Sequence, residues 1–133
     1  MLKKNKIFLV MILSSMCPFI CAGCSDSGSA SYDQISGAEA KALMDSETGY
    51  IILDVRRPDE FAAGHIPNAI NVPNETIGTA EISELPDKNQ LIMVYCRSGR
   101  RSKEASEKLV KLGYTNIVEF GGILDWKGEI VTE

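Results

Sequence analysis

The 133-residue sequence has few of the residues that mark metal, disulfide-rich or nucleic-acid-binding proteins. It holds a single histidine, His65, which alone cannot make a metal site, and four cysteines. Basic residues are not in excess: 14 stand against 18 acidic ones, a net charge of −4. That argues against a nucleic-acid binder, which needs a basic face. No apolar run approaches the ~20 residues that span a bilayer. Internal repeats and low-complexity stretches are absent too, and 44% apolar with 24% charged residues is ordinary globular composition. The length suits one domain.

The first 23 residues read as an address. Lys3, Lys4 and Lys6 form a basic start, residues 7–13 are an unbroken apolar run, and Pro18 discourages a continuous helix. Cys21-Ala22-Gly23-Cys24 resembles the bacterial lipobox, with Cys21 where leucine is usual. The resemblance implies a lipoprotein signal peptide over 1–23 and a lipidated Cys24. Residues 24–31, rich in serine and glycine, then form a flexible tether. The expected location is the bacterial cell envelope, lipid-anchored and extracytoplasmic. Removing residues 1–23 leaves 11 basic against 18 acidic residues, a net of −7 over 110 residues. It also leaves Cys96 as the only free thiol, with no internal disulfide and no four-cysteine metal site.

From residue 32 onward, strand-like and helix-like pieces alternate. Ser36 and Glu39 form a capping box before Ala40, Leu43 and Met44. Residues 50–55, with the acid Asp54 near the C-terminal end, and 91–95 are apolar strands, 69–72 a short strand and 117–120 another. Pro58 opens a short helix reaching Phe61-Ala62, with Asp59 and Glu60 at its positive end. A weaker helix is expected over 75–85 and a turn at 86–89. The clearest helix covers 102–112, with Ala105, Leu109 and Leu112 on one face, the pairs Glu104–Lys108 and Glu107–Lys111 outside, and Gly113 as its stop. Apolar strands separated by helices predict an α/β fold, a central mostly parallel sheet flanked by helices on both faces. Ligand sites in such sheets lie beyond the carboxyl ends of strands.

Cys96 stands at such an end, opening Cys96-Arg97-Ser98-Gly99-Arg100-Arg101-Ser102. Gly99 permits a tight turn, and a loop curling into a helix start aims several backbone N–H groups at one point. A cysteine at the base of such a nest, amid three arginines, is expected to be held as thiolate. The competing reading is a small buried core cysteine.

Three segments together resemble the rhodanese-like domain. Leu53-Asp54-Val55-Arg56-Arg57-Pro58-Asp59-Glu60-Phe61 with Gly64-His65-Ile66-Pro67-Asn68-Ala69 and Asn71-Val72-Pro73 is similar to its N-terminal signature. Cys96-x-x-Gly99-x-Arg101-Ser102 is similar to its active-site loop, and Gly121-Gly122-Ile123-Leu124-Asp125-Trp126 to its C-terminal signature. The resemblance covers 32–133. Its departures are Asn68, where glycine is usual, and a short tail after Trp126.

The resemblance implies sulfur transfer through a Cys96 persulfide. A small anionic donor such as thiosulfate gives up its outer sulfur, and cyanide or a thiol accepts it. It implies no metal or organic cofactor. Arg97 and Arg100 are then the expected attractors of a dianionic donor, with either able to touch it. Asp54 and Arg56 either shape the site or form a structural ion pair. Glu60 is expected to pair with Arg101 and hold the loop, His65 to be structural, and Trp126 to pack. Three other readings stay open: a non-catalytic persulfide carrier or docking module for an envelope protein partner, a phosphatase or arsenate-reductase chemistry, and a thiol redox component. Phosphatase loops of the related fold place arginine after five intervening residues, whereas Arg101 follows Cys96 after four. A redox role lacks a resolving cysteine.

Overall fold

The computed structural model describes residues 31–78 and 80–133. The expected signal peptide, Cys24 and all of the tether except Ser31 lie outside the described residues. Five strands form one sheet: β1 (Asp33–Gln34), β2 (Ile51–Asp54), β3 (Ile70–Asn71), β4 (Ile92–Cys96) and β5 (Ile117–Gly122). Their order is β1-β5-β4-β2-β3, and every pairing is parallel. The two apolar runs that lack alternation, β2 and β4, lie side by side within it, as strands covered on both faces should.

Alternate residues of β4 feed two cores. Ile92, Val94 and Cys96 face a cluster containing Ala105 and Leu109 of helix α3 (Arg100–Lys111). Met93 and Tyr95 face a second cluster. It contains Ala40 of α1 (Gly37–Ser46) and Phe61 of α2 (Pro58–Ala63). All five β4 residues are buried. Each large apolar side chain removed from water in this way contributes roughly 1.5–3 kcal/mol.

Local signals act where expected. Ser36 Oγ accepts from the Glu39 amide at 3.2 Å while Glu39 accepts from the Ser36 amide at 2.7 Å. Gly113, with φ +95°, ends α3. Asn68 has φ +66°, so the departure from glycine falls on a left-handed position, which asparagine tolerates better than other side chains do. Among the described residues no helix is long and apolar enough to cross a membrane.

Three expectations need correction. Residues 75–85 do not form a helix: a 3₁₀ turn covers Asn74–Thr76, and irregular chain follows. Gly78 weakens helix formation there, and Ile77, Ile82 and Leu85 are buried in the α3-side core as coil. Tyr114 Oη fixes that coil by donating to the Leu85 carbonyl at 2.7 Å. The helix expected from 102 starts earlier, at Arg100, and the last strand runs on to Gly122. Finally, Glu104 does not pair with Lys108, nor does Glu107 form an ion pair with Lys111. Glu104 binds Arg100 at 3.1 Å and Asn74 Nδ2 at 3.0 Å, and Lys108 donates to Asn74 O and Oδ1. A tertiary partner displaces an exposed pair worth only a few tenths of a kcal/mol.

Candidate active site

The carboxyl ends of β2, β4 and β5 meet at one edge of the sheet. β4 ends at Cys96, which comes into register with Gly122 after an irregularity in the β4–β5 ladder. The next residues turn back into α3 through Gly99, whose φ of +112° is open to glycine at little cost. Gly122 is needed for a different reason. Its backbone is extended, but a Cβ there would collide with the backbone of Arg97 and Ser98. The glycine lets the loop lie directly on β5, where the Arg97 carbonyl also accepts from the Leu124 amide at 3.3 Å.

The sulfur lies beneath this loop and is nearly closed to solvent, with Cys96 only 1% exposed. The Gly99 amide donates to Sγ at 3.0 Å, and Ser102 Oγ lies 3.5 Å away. One backbone amide is thus bonded to the sulfur, rather than the several converging ones expected from sequence.

Above it, Arg97, Ser98, Arg100 and Arg101 line an open cleft of about 640 Å³, together with Arg57, Glu60 and Glu75. The arginines are not equivalent. Arg101 makes a bidentate pair with Glu60, at 2.7 and 3.0 Å, and both side chains are 19% exposed. Glu60 also accepts from the Arg57 amide at 3.0 Å. The Arg101 hydrogen bonds, against the cost of burial and helped by Arg57, hold the Glu60 carboxyl down at about 2. The same bonds raise Arg101, with smaller support from the nearby Cys96 and Glu75. Arg100 is engaged by Glu104, and Arg57 by Asp59. Arg97 is exposed and has no carboxylate partner among the described residues.

Asp54 and Arg56 do not line the cleft. They form a buried ion pair at 2.7 Å, and Arg56 also donates to the Gly64 carbonyl. Burial opposes the Arg56 charge, but its bonds to Asp54 and the charge of Asp54 outweigh that and raise it. Asn71 Nδ2 donates to the carbonyls of both residues, so this cluster ties β2 to β3 and to the loop after α2. His65 sits in the same scaffold. Nδ1 donates to the Phe61 carbonyl at 2.9 Å, the ring stacks on Phe61 at 3.8 Å, and its backbone bridges to Val131. Tyr95 Oη accepts from the Ile66 amide at 3.1 Å, and burial raises its phenol well above the usual value. Trp126 packs against Phe120.

Sequence reasoning missed Glu119. It is 2% exposed, and its Oε1 accepts from Ser102 Oγ at 2.5 Å and from the Gly121 amide at 2.8 Å. The signal was present as a lone carboxylate in an otherwise apolar strand. No group of three or more potential metal ligands exists among the described residues.

Residues 36–129 match the rhodanese-like domain family. The chain is 38% identical over 73 residues to the thiosulfate sulfurtransferase PspE of Escherichia coli, covering 55% of this chain and 70% of that one. It is 38% identical over 88 residues to a sulfurtransferase of Allochromatium vinosum, covering 65% and 79%. A solved structure of a rhodanese with anions from E. coli superposes with a TM-score of 0.58 at 34% identity, covering 63% of this chain and 99% of that one.

Proposed function

The chain belongs to the rhodanese-like domain family and is an enzyme of sulfur transfer, and from that membership we propose that Cys96 carries the sulfur as a persulfide. Thiosulfate is the donor: the Cys96 thiolate attacks its outer sulfur, the S–S bond of thiosulfate breaks, and sulfite leaves with the bonding pair. Cyanide or a thiolate then attacks the terminal sulfur of Cys96–S–S⁻ and leaves Cys96 as thiolate. Covalent catalysis of this kind divides one hard step into two. The observation that carries the reading is the Gly99 amide directed at Sγ within a loop of three arginines, since a fixed N–H dipole stabilises negative charge on sulfur without reorganising.

Arg97 is the side chain that draws in the dianionic donor, because Arg57, Arg100 and Arg101 are each engaged by a carboxylate. Glu60 holds the loop through Arg101. Asp54 and Arg56 act at one remove, through the scaffold beside α2. The domain works from a lipid anchor at Cys24, on the extracytoplasmic side of a bacterial envelope, where the thiol of an envelope protein receives the sulfur.

Intact mass of the domain before and after thiosulfate tests the central step. A gain of one sulfur, reversed by cyanide and absent in Cys96→Ser, is the expected result. Thiosulfate:cyanide turnover in Cys96→Ser equal to that of the unaltered protein would overturn it. Loading without turnover would replace catalysis by sulfur carriage. For the location, globomycin-sensitive processing and labelling by palmitate are expected, and a chain that keeps residues 1–23 in the donor cell would refute the anchor.

A further inference from the structure

Glu119 has no part in the reading above, yet it is built into the same site. No lysine or arginine is hydrogen-bonded or ion-paired to it among the described residues, and a buried carboxylate without a cation is costly to keep. Its two donors are the Gly121 amide and the Ser102 hydroxyl. That hydroxyl is also the group 3.5 Å from Cys96 Sγ.

A serine hydroxyl has one proton and two lone pairs. Three acceptors compete for that proton, the Gly99 carbonyl at 2.9 Å, the Gly121 carbonyl at 3.3 Å and the Glu119 carboxylate at 2.5 Å. The charged and shortest contact takes it, and the oxygen offers a lone pair to the thiol. The chain then reads S–H to O–H to carboxylate. Run in the other direction, the same heavy atoms give a thiolate that accepts from the hydroxyl, which in turn accepts from a carboxylic acid.

We propose that Glu119 is a positioning residue that takes up the Cys96 proton through the Ser102 hydroxyl, so the buried site carries one negative charge whether the sulfur is thiol or thiolate. The S–H bond breaks and its proton goes to Ser102 Oγ. The proton that Ser102 held goes to Glu119 Oε1. No electrons are exchanged, and the net charge is −1 before and after.

The surroundings favour this sharing. β4 brings Cys96 itself. β1 brings Gln34, in register with Glu119, and Asp33, both exposed, with half-buried Tyr32 before them. α3 turns Arg100 to Glu104 and Arg101 to Glu60, and leaves Lys103 and Glu107 exposed. One amide apiece favours charge on each group, Gly99 at Sγ and Gly121 at Oε1. No lysine or arginine among the described residues is bonded to either, so a proton shared through the hydroxyl keeps them from being anions together. Such a pair titrates in two steps that belong to both groups.

The test uses the resting protein without donor, so it stands or falls separately from the persulfide reading. The rate of Cys96 alkylation by iodoacetamide against pH should show two inflections in the unaltered protein and one in Glu119→Gln. The pH response of the Glu119 side-chain carboxyl, followed by carbon-13 NMR, should change in Cys96→Ala. An alkylation profile that is the same in Glu119→Gln, or a carboxyl response that Cys96→Ala leaves unchanged, would overturn the proposal. Should Glu119→Gln fail to fold, the carboxyl response decides alone.

Discussion

Replacing Glu60 by glutamine removes one charge while keeping the side-chain length and an oxygen that accepts from the Arg57 amide. What is lost is the ionic half of the pair with Arg101, at 2.7 Å. In the folded protein the Glu60 carboxyl is held at about 2 against an ordinary 4.5, chiefly by hydrogen bonds from Arg101. At about 1.4 kcal/mol per pH unit this depression caps the contribution near 3 kcal/mol. Solvent reaches both side chains, and screening brings the expected value to roughly 2 kcal/mol. Because the folded state depresses this acid, its contribution is fully present above pH 4.5 and is lost as pH falls through about 2. Glu60→Gln should therefore melt roughly 10 °C lower near neutral pH for a domain of this size. The deficit should narrow steadily below pH 4.5, as the unaltered protein loses the same interaction. Thermal unfolding followed by circular dichroism at a series of pH values is the measurement. A deficit that stays constant down to pH 3, or one below about 0.5 kcal/mol at neutral pH, the scale of an ordinary exposed pair, would refute the reasoning.

Gly122→Ala should leave secondary structure intact but lower kcat/KM for thiosulfate by about 100-fold, since the methyl group displaces the Arg97–Ser98 backbone over the sulfur; activity within twofold of the original would show that the loop yields freely. Arg97→Ala should raise the thiosulfate KM about tenfold, and Arg100→Ala much less, because Arg100 is already neutralised by Glu104. A larger effect at Arg100 would reverse the assignment. Tyr95→Phe removes the acceptor of the buried Ile66 amide and should cost roughly 1–3 kcal/mol in urea unfolding, with no change in the Cys96 alkylation rate. A neutral substitution would mean that another acceptor reaches that amide.

Where the signal was local, sequence was enough. Ser36 with Glu39, Pro58 at the start of α2 and Gly113 after α3 each act through neighbours within four residues, so composition and spacing reveal them. The unbroken apolar runs of β2 and β4 implied strands covered on both faces, and hence a parallel sheet. The same local rules failed at 75–85, where three apolar side chains reach the core without helical geometry. They failed again for Glu104 and Lys108: Glu104 turned back to Arg100 one turn before it, and both reached Asn74 across the chain. The Glu60–Arg101 pair, 41 residues apart, was legible only through the family resemblance.

The chain's order of residues by itself placed the thiol of Cys96 at a strand end, before a glycine turn and a helix start, and named the elements around it. Folding decided what the thiol meets. The approach of β5 to β4 brings Glu119 to Ser102 and puts Gly122 under the loop. With Arg57, Arg100 and Arg101 each paired to a carboxylate, Arg97 is the loop's unengaged cation among the described residues. Hydrogen bonds and charge pairs act over a few ångströms of space, and a parallel sheet joins strands that are far apart in sequence. The lining of the site was therefore fixed only once those strands were in register.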